Sequence, residues 1–551
     1  MEKWISDNGD GTYTNPILYL DYSDPDAVRV GNDFYMTASS FCNTPGLPVL
    51  HSRDLVNWEL IGYALENIPC DGYNRPRHGC GVWAPAIRYY HDEFYIFYPM
   101  PDEGIFYVKA KDPAGKWSDP VCVYEGAGWI DPCPFIDDDG KCYMVNAFAK
   151  SRIGFKSRLQ IVPISEDFNK ITGDPVMVFD GEANNNHTIE GPKLYKNNGW
   201  YYIFAPAGGV KQGWQTVLRS RNIYGPYEYR RVMEQKDTDV NGPHQGAWIR
   251  TGEGEDWFIH FQDIYAAGRI VHLQPMRWED DWPIIGQAQP GETCGKPVSR
   301  HAKPAVSHAV AAGSPAPSGI SGSDETKALS CPGSSDEFDS PGLSLQWQWN
   351  ANHRREWTEC LPERSVIKLR SVPAEDSISD QPNLLLQKWP LPEFTVFTCI
   401  SLEEMKTGDE AGIINMAERY GALGILKTEN GFMLRAVSGE QIFQKEKAIA
   451  KDVTKEIRFF ANASEKPEKI LLSINVTRTI SIEYNNDGDY SFPIPRENVT
   501  FSYSLDGDSY EEVLSFESRP GRWVGAKCGI YVRNMLGNEG GYGCFDYFRF
   551  E

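Results

Sequence analysis

Residues 190–206, EGPKLYKNNGWYYIFAP, carry the pattern that decides the fold. The stretch opens on a polar residue followed by Gly-Pro. A short apolar run follows, then the turn Asn197-Asn198-Gly199, then an aromatic strand. Two such runs joined by a tight Asn-Gly turn read as a β-hairpin. The same pattern recurs in DPDAVRVGNDFYMTAS from Asp24, WAPAIRYYHDEFYIFY from Trp83, DPCPFIDDDGKCYMVNA from Asp131 and HQGAWIRTGEGEDWFIHF from His244. The starts are spaced about 50 to 60 residues apart, which marks a repeat architecture.

A second element recurs between the hairpins: HSRDLVNW from His51, AKDPAGKW from Ala110, ISEDFNKI from Ile164 and RSRNIYGPY from Arg219. Each reads as the turn joining the third and fourth strands of one unit. Four strands per unit is the recipe of a propeller blade, so residues 15–297 are expected to form a five-bladed, all-β propeller. Residues 298–332, rich in Ala, Ser, Pro and Gly, read as a linker. Residues 333–551 hold short alternating runs (FTVFTCISL, ILLSINVT, GIYVRNM) that predict a jelly-roll-like β-sandwich. Its opening DEFDSPGLSLQWQWN and closing CFDYFRFE are expected to pair as neighbouring strands. A supporting or carbohydrate-binding role is the default for this half.

Composition bounds the function. A chain of 551 residues exceeds a single core. The formal charge of −22 disfavours nucleic acid and anionic membranes as partners and leaves neutral sugars open. No apolar run reaches the roughly 18 residues of a membrane helix. The 12 Cys show no metal-ligand spacing; Cys122, Cys142, Cys399, Cys528 and Cys544 sit in strand-like runs as small hydrophobes. Cys70 and Cys80 flank a loop in which a disulfide is open.

Equivalent positions of a propeller lie at one height around a common axis, and the first strand of each blade runs nearest it. Asp24, Trp83, Asp131, Glu190 and His244 each open a unit and should therefore converge. Taken singly, Asp24 and Asp131 precede Pro and pass as turn formers, and Glu190 passes as a solvated acid. Jointly they place three carboxyls at equivalent positions, a costly arrangement without a chemical use. Carboxyls facing each other across a pocket are the machinery of glycoside hydrolysis: one neutral to protonate the leaving oxygen, one ionised to activate water. A third raises the acid's pKa by like-charge repulsion. Trp83 and Phe41 suit sugar stacking or blade packing. His244 suits a core hydrogen bond or an axial water or metal. Arg269, in an apolar strand, needs an acidic partner, either a catalytic carboxylate or, in its absence, a sugar hydroxyl.

At NPILYLDYSDPD, WAPAIRYYHDEFYIFY, GWIDPCPF, TIEGPKLYK and GPHQGAW the chain resembles glycoside hydrolase family 43. It is most similar to the α-L-arabinofuranosidase and β-xylosidase branch with an appended β-sandwich, including gut Bacteroides members acting on plant hemicellulose. The resemblance implies inversion, with Asp24 as general base, Glu190 as general acid and Asp131 as pKa modulator. In an inverting enzyme the base and acid carboxyls stand about 6.5–9.5 Å apart. Phe41, Trp83, His244 and Arg269 match positions lining the family's −1 subsite. No cofactor is required; calcium is allowed near His244, although no ligand set is legible.

The expected activity is exo-acting release of terminal α-L-arabinofuranosyl residues, with β-D-xylosyl also accepted, from hemicellulose side chains or oligosaccharides. β-D-Xylosidase as the main activity, and a non-catalytic carbohydrate-binding propeller, are the alternatives. The loop IPCDGYNRPRHGCG between the first two repeats is expected to wall the pocket and favour exo cleavage. The expected location is periplasmic or extracellular, with the polar start read as a mature terminus carrying an added Met. Oligomeric state is left open.

Overall fold

The computed structural model describes residues 4–306, 332–390, 392–444, 447–461, 467–484 and 491–551. Five four-stranded antiparallel sheets take their strands in chain order. Their innermost strands are Asp26–Val30, Ala86–Tyr90, Trp129–Ile136, Lys193–Asn197 and His244–Arg250. The hairpin turns stand where the repeat places them. Val30 pairs with Asp33, Tyr90 with Glu93 and Asn197 with Trp200. His91 and Asp92, and likewise Asn198 and Gly199, take positive φ at both positions, the backbone that two-residue hairpins need to follow strand twist.

The second strand of each blade reads as an unbroken apolar run because both of its faces are covered. In Glu93–Met100, Phe94, Ile96, Tyr98 and Met100 pack with the first blade. Tyr95 and Phe97 point the other way, into the core shared with the third blade. Similar cores lie between blades three and four, four and five, and five and one. The ring is clasped by Thr12–Thr14 pairing with Arg300–Ala302 and by Asn15, whose Nδ2 donates to the carbonyls of Leu273 and Val298 at 2.8 Å each. The clasp thus uses residues ahead of position 15 and others within the stretch read as linker; residues 307–331 of that stretch lie outside the described residues.

One buried ion pair ties the blades near the axis. Asp26 Oδ2 accepts from Arg88 Nη1 at 2.7 Å and from the Ile87 N–H at 2.8 Å. Arg88 Nη2 also reaches Cys133 Sγ at 2.9 Å, and the guanidinium lies 5.4 Å from the Tyr195 ring centroid. One side chain therefore touches four consecutive blades.

The C-terminal half is a sandwich of a nine-stranded and a seven-stranded sheet around a core that includes Trp389, Val396, Ile413, Phe501 and Phe545. Its two ends pair at the bridge between Asp336 and Phe548, flanked by the Arg549–Glu337 ion pair and the bond from the Phe550 N–H to Ser335 Oγ; Gln348–Trp349 joins the other sheet, beside Leu385–Lys388. The sandwich docks on the propeller through paired main chains. Thr44 and Trp349 exchange N–H···O bonds, Asn352 bonds both polar groups of the Ile68 backbone, and the Ala526 N–H donates to the Ala266 carbonyl at 2.7 Å. Cys70 and Cys80 are free thiols. Cys80 Sγ instead accepts from Arg152 Nη2 at 3.5 Å, so the disulfide left open by the loop's composition does not form.

A buried charge stripped of its partner is costly, whereas an apolar pair of similar volume is tolerated. Asp26→Ala should destabilise the propeller by about 3–5 kcal/mol. Asp26→Leu combined with Arg88→Met should lose much less. Denaturant unfolding midpoints of the two variants and the unaltered protein check this.

Candidate active site

The acids leave the sheet because the backbone turns where they stand. Asp24 and Asp131 adopt φ of 56° and 55°, a left-handed conformation costing about 1–2 kcal/mol for a residue other than glycine. In the last two blades the left-handed residue comes one position later, at Gly191 (φ 58°) and Gln245 (φ 34°). Bulges interrupt the register between Ile130 and Cys133 and between His244 and Gly246, a device that re-aims side chains.

Asp24 is buried and fully engaged. Its Oδ2 accepts from the hydroxyls of Ser23 and Ser39, both at 2.6 Å, and its Oδ1 lies 3.2 Å from Arg269 Nη1. Arg269 Nη1 also donates to Ser23 Oγ at 2.7 Å. The guanidinium stands 4.7 Å from the Phe261 ring centroid and 6.0 Å from that of Trp523. Asp131 Oδ2 accepts the Gly191 N–H at 2.7 Å, which fixes the peptide immediately after Glu190. Glu190 Oε1 lies 3.4 Å from His244 Nε2, and the Glu190 side chain is 26% exposed. His244 is fully buried, with neither ring nitrogen hydrogen-bonded.

All seven residues singled out in the sequence, Asp24, Phe41, Trp83, Asp131, Glu190, His244 and Arg269, line one cavity of about 100 Å³. Phe41 (φ 53°) is held by main-chain bonds to Val82. Gly81, at φ 90°, is required there, since a Cβ would meet the Phe41 carbonyl at 2.3 Å. Trp83 donates to the Gly79 carbonyl, and Arg152 lies over its ring. The loop expected to wall the pocket contributes nothing to its lining. It backs Trp83, bonds Glu103 through Tyr73 and Arg77, and reaches the sandwich through His78 and Ser379.

Sequence reasoning missed the residues that complete the lining, Ala84, Ile130, Val210, Gln245 and Trp523. Trp523 comes from the sandwich, in the turn RPGRW, and is 45% exposed. A large aromatic in a Pro-Gly turn is the one signal that marked it. Trp523, Arg269 and Val210 also border a second cavity of about 690 Å³, which runs past Tyr265, Phe443 and Arg522.

The electrostatics separate the carboxyls. Burial, followed by the charges of Asp131 and Asp24, pushes Glu190 up to about 8. Burial and then the Asp24 charge raise Asp131 to about 7, against the Gly191 N–H, which favours its ionised form. Of this pair Glu190, without such a donor, is the better holder of a proton. Burial, then the Arg269 charge, pushes His244 down to about 3, so its approach to Glu190 is a polar contact and not an ion pair. Burial works against the charge of Arg269, but Asp24, Asp263 and Asp21 outweigh it and raise its pKa.

Among the described residues no group of three or more His, Cys, Asp or Glu is arranged to hold a metal. One neutral imidazole and one carboxyl biased toward its protonated form are not the oxygen-rich shell that calcium takes. The chemistry is therefore derived from the side chains alone.

Comparison with known proteins gives the family. Residues 13–283 match glycosyl hydrolases family 43, and residues 335–551 match the β-xylosidase C-terminal concanavalin A-like domain. A Xylanibacter ruminicola protein with a provisional β-xylosidase name is 39% identical over 77% of this chain and 74% of its own length. A non-reducing-end α-L-arabinofuranosidase of Bacteroides ovatus is 27% identical over 98% of this chain and 95% of its own. The solved xylan β-1,4-xylosidase of Bacillus halodurans superposes with a TM-score of 0.76 at 23% identity, covering 98% of this chain and 99% of that one. The chain belongs to glycoside hydrolase family 43.

A buried neutral imidazole beside a guanidinium should resist protonation. In histidine-labelled protein, the ring resonances of His244 should stay those of the neutral form from pH 8 to pH 5. A His244 titration near pH 6.5, the ordinary imidazole value, would contradict the electrostatics described.

Proposed function

We propose that the chain is an exo-acting, inverting glycosidase that removes single terminal β-D-xylosyl residues from hemicellulose oligosaccharides or side chains. The observation that carries the reading is one small pocket holding Asp24, clamped by Arg269 and two hydroxyls, together with Glu190, raised to about 8. Glu190 would donate its proton to the leaving oxygen. Asp24 would take a proton from a water attacking the anomeric carbon from the opposite face. Asp131 would keep Glu190 protonated by its charge and, through the Gly191 N–H, hold the peptide that aims it. A cavity of about 100 Å³ is on the scale of one small ring and not of a polymer, which supports exo action. The balance moves from the arabinofuranosyl residue expected at first toward xylosyl because the 39% identical relative carries a β-xylosidase name. Release of terminal α-L-arabinofuranosyl residues is retained as a second reading, supported by the Bacteroides ovatus relative, which matches nearly end to end.

Chromatography of products from xylobiose, xylotriose and arabinose-substituted oligosaccharides tests the proposal. Monosaccharide should appear from the first minutes, and proton NMR of xylobiose cleavage should show α-xylose formed first from the non-reducing end. Products that lack the monosaccharide, or β-xylose formed first, would overturn it. General acid–base groups contribute about 10²–10⁴-fold, so Asp24→Asn and Glu190→Gln should each lower kcat on xylobiose by that order.

The pH profile follows from the same charges. The acid must be protonated, so kcat should fall as pH rises through about 8, where Glu190 loses its proton. Asp131→Asn removes a like charge that raises Glu190. The basic limb measured on the residual activity should therefore move to lower pH.

A further inference from the structure

Asp21 lies outside the carboxyl pocket and takes no part in the chemistry above, yet its carboxylate is 4% exposed. Its two oxygens accept main-chain N–H groups from the two halves of the molecule. Oδ1 takes the Arg269 N–H at 2.9 Å, and Oδ2 takes the Gly525 N–H at 2.8 Å. Around this carboxylate the two chains run backbone against backbone. A Cβ at Gly268 (φ 84°) would stand 2.6 Å from both Asp21 Oδ1 and Gly525 Cα, and a Cβ at Gly525 would meet the Ala267 carbonyl at 2.7 Å. The adjoining Ala526 N–H donates to Ala266. Neither glycine leaves room for a side chain, so the contact has little slack.

Both ends of this contact lead into the pocket. The residue whose N–H Asp21 holds on the propeller side is Arg269, which grips Asp24 and Ser23. Two residues before Gly525 comes Trp523, which lines the cavity opposite Arg269 and faces its guanidinium. Hydrogen bonds to an ionised acceptor are shorter and roughly twice as strong as neutral ones, so a carboxylate that takes one N–H from each domain is suited to fixing the loop against the propeller.

We propose that Asp21 is a positioning residue for the hydrolytic reaction: it fastens the Trp523 loop of the sandwich against Arg269 and so sets the outer wall of the sugar pocket. The inference rests on the glycosidase reading. It makes the sandwich part of the binding site through one carboxylate of the propeller.

The test compares Asp21→Asn, Trp523→Ala and the double variant. kcat and KM are measured on nitrophenyl β-D-xyloside and nitrophenyl α-L-arabinofuranoside, and hydrogen exchange of residues 519–526 is followed by mass spectrometry. Asparagine keeps the shape but offers an amide N–H₂ to one of the two N–H donors. Asp21→Asn should raise KM about tenfold on the better substrate while kcat falls less than about threefold, the pattern of lost binding and not of lost chemistry. Exchange in residues 519–526 should quicken. The double variant should be no worse than the weaker of the two single variants. Gly525→Ala, which keeps the carboxylate and pushes the loop away, should reproduce the KM effect.

A lowered unfolding temperature with KM unchanged would overturn the proposal, as would KM effects that multiply in the double variant. If the unaltered chain releases no sugar from either glycoside, the glycosidase reading fails, and the exchange comparison decides on the staple alone. Unchanged protection of residues 519–526 in Asp21→Asn would then refute it.

Discussion

Like charges held together out of water repel, and the pocket concentrates three carboxyls, Asp24, Asp131 and Glu190, around one axis. At an effective dielectric of about 20, two unit charges about 6.5–9.5 Å apart, the inverting spacing, repel by about 2 kcal/mol, the equivalent of between one and two pKa units. That is too much for all three groups to ionise freely and little enough for a single proton to relieve. The structure spends its polar groups unevenly. Arg269 and two hydroxyls serve Asp24, a backbone N–H serves Asp131, and Glu190 has only the neutral His244 beside it. The proton therefore settles toward Glu190. The proposed division of a general acid from a general base thus follows from where donors stand, with no difference needed in the intrinsic chemistry of the carboxyls.

Holding the charges in that order requires a rigid frame. Asp24 and Asp131 sit in left-handed backbone, a local cost that only surrounding structure can sustain. Blade strands covered on both faces supply it, since Phe94, Ile96 and Tyr98 pack one way while Tyr95 and Phe97 pack the other. Arg88 adds a polar tie near the axis, bonding blades one and three directly. The same axis thus carries two kinds of buried charge. The Asp26–Arg88 pair is matched and structural, whereas the three carboxyls around Glu190 are left partly unmatched.

The repeat was legible because hairpin turns and apolar strands obey local rules: the Asn-Gly turn of residues 198–199 and the Glu93–Met100 run are each explicable from a few neighbouring residues. Convergence of the unit-opening residues followed from symmetry, and the lining of the cavity by Asp24, Asp131 and Glu190 agrees with it. What escaped the sequence is what depends on contacts between distant segments. Trp523 reaches the pocket from the other domain, and nothing in RPGRW specifies which surface it will meet. The loop holding Cys70 and Cys80 was misjudged for the same reason. Its composition suggested a wall, but Arg77 and His78 turn it toward Asp102, Glu103 and the sandwich, leaving the wall to Trp523. Asp26 stands in the stretch DPDAV and its partner Arg88 lies a whole blade away.

These long-range contacts bear on why the two halves are joined. The propeller by itself supplies every carboxyl and Arg269, so the acid–base chemistry does not need the sandwich. It also supplies Phe41 and Trp83 as apolar lining, but not the aromatic ring that stands beside Arg269. Trp523 adds an apolar surface, which water cannot replace, at the boundary between the small cavity and the larger one beyond it. A side chain that is 45% exposed has few contacts of its own to keep it there. Its place is inherited from the backbone behind it, where Gly268, Gly525 and the Asp21 carboxylate bring two domains to within main-chain contact. On the proposed role of Asp21, the sandwich is a rigid support for that one loop, and the closeness of the glycine contact is the means by which a separate domain would set the dimensions of a pocket it scarcely enters.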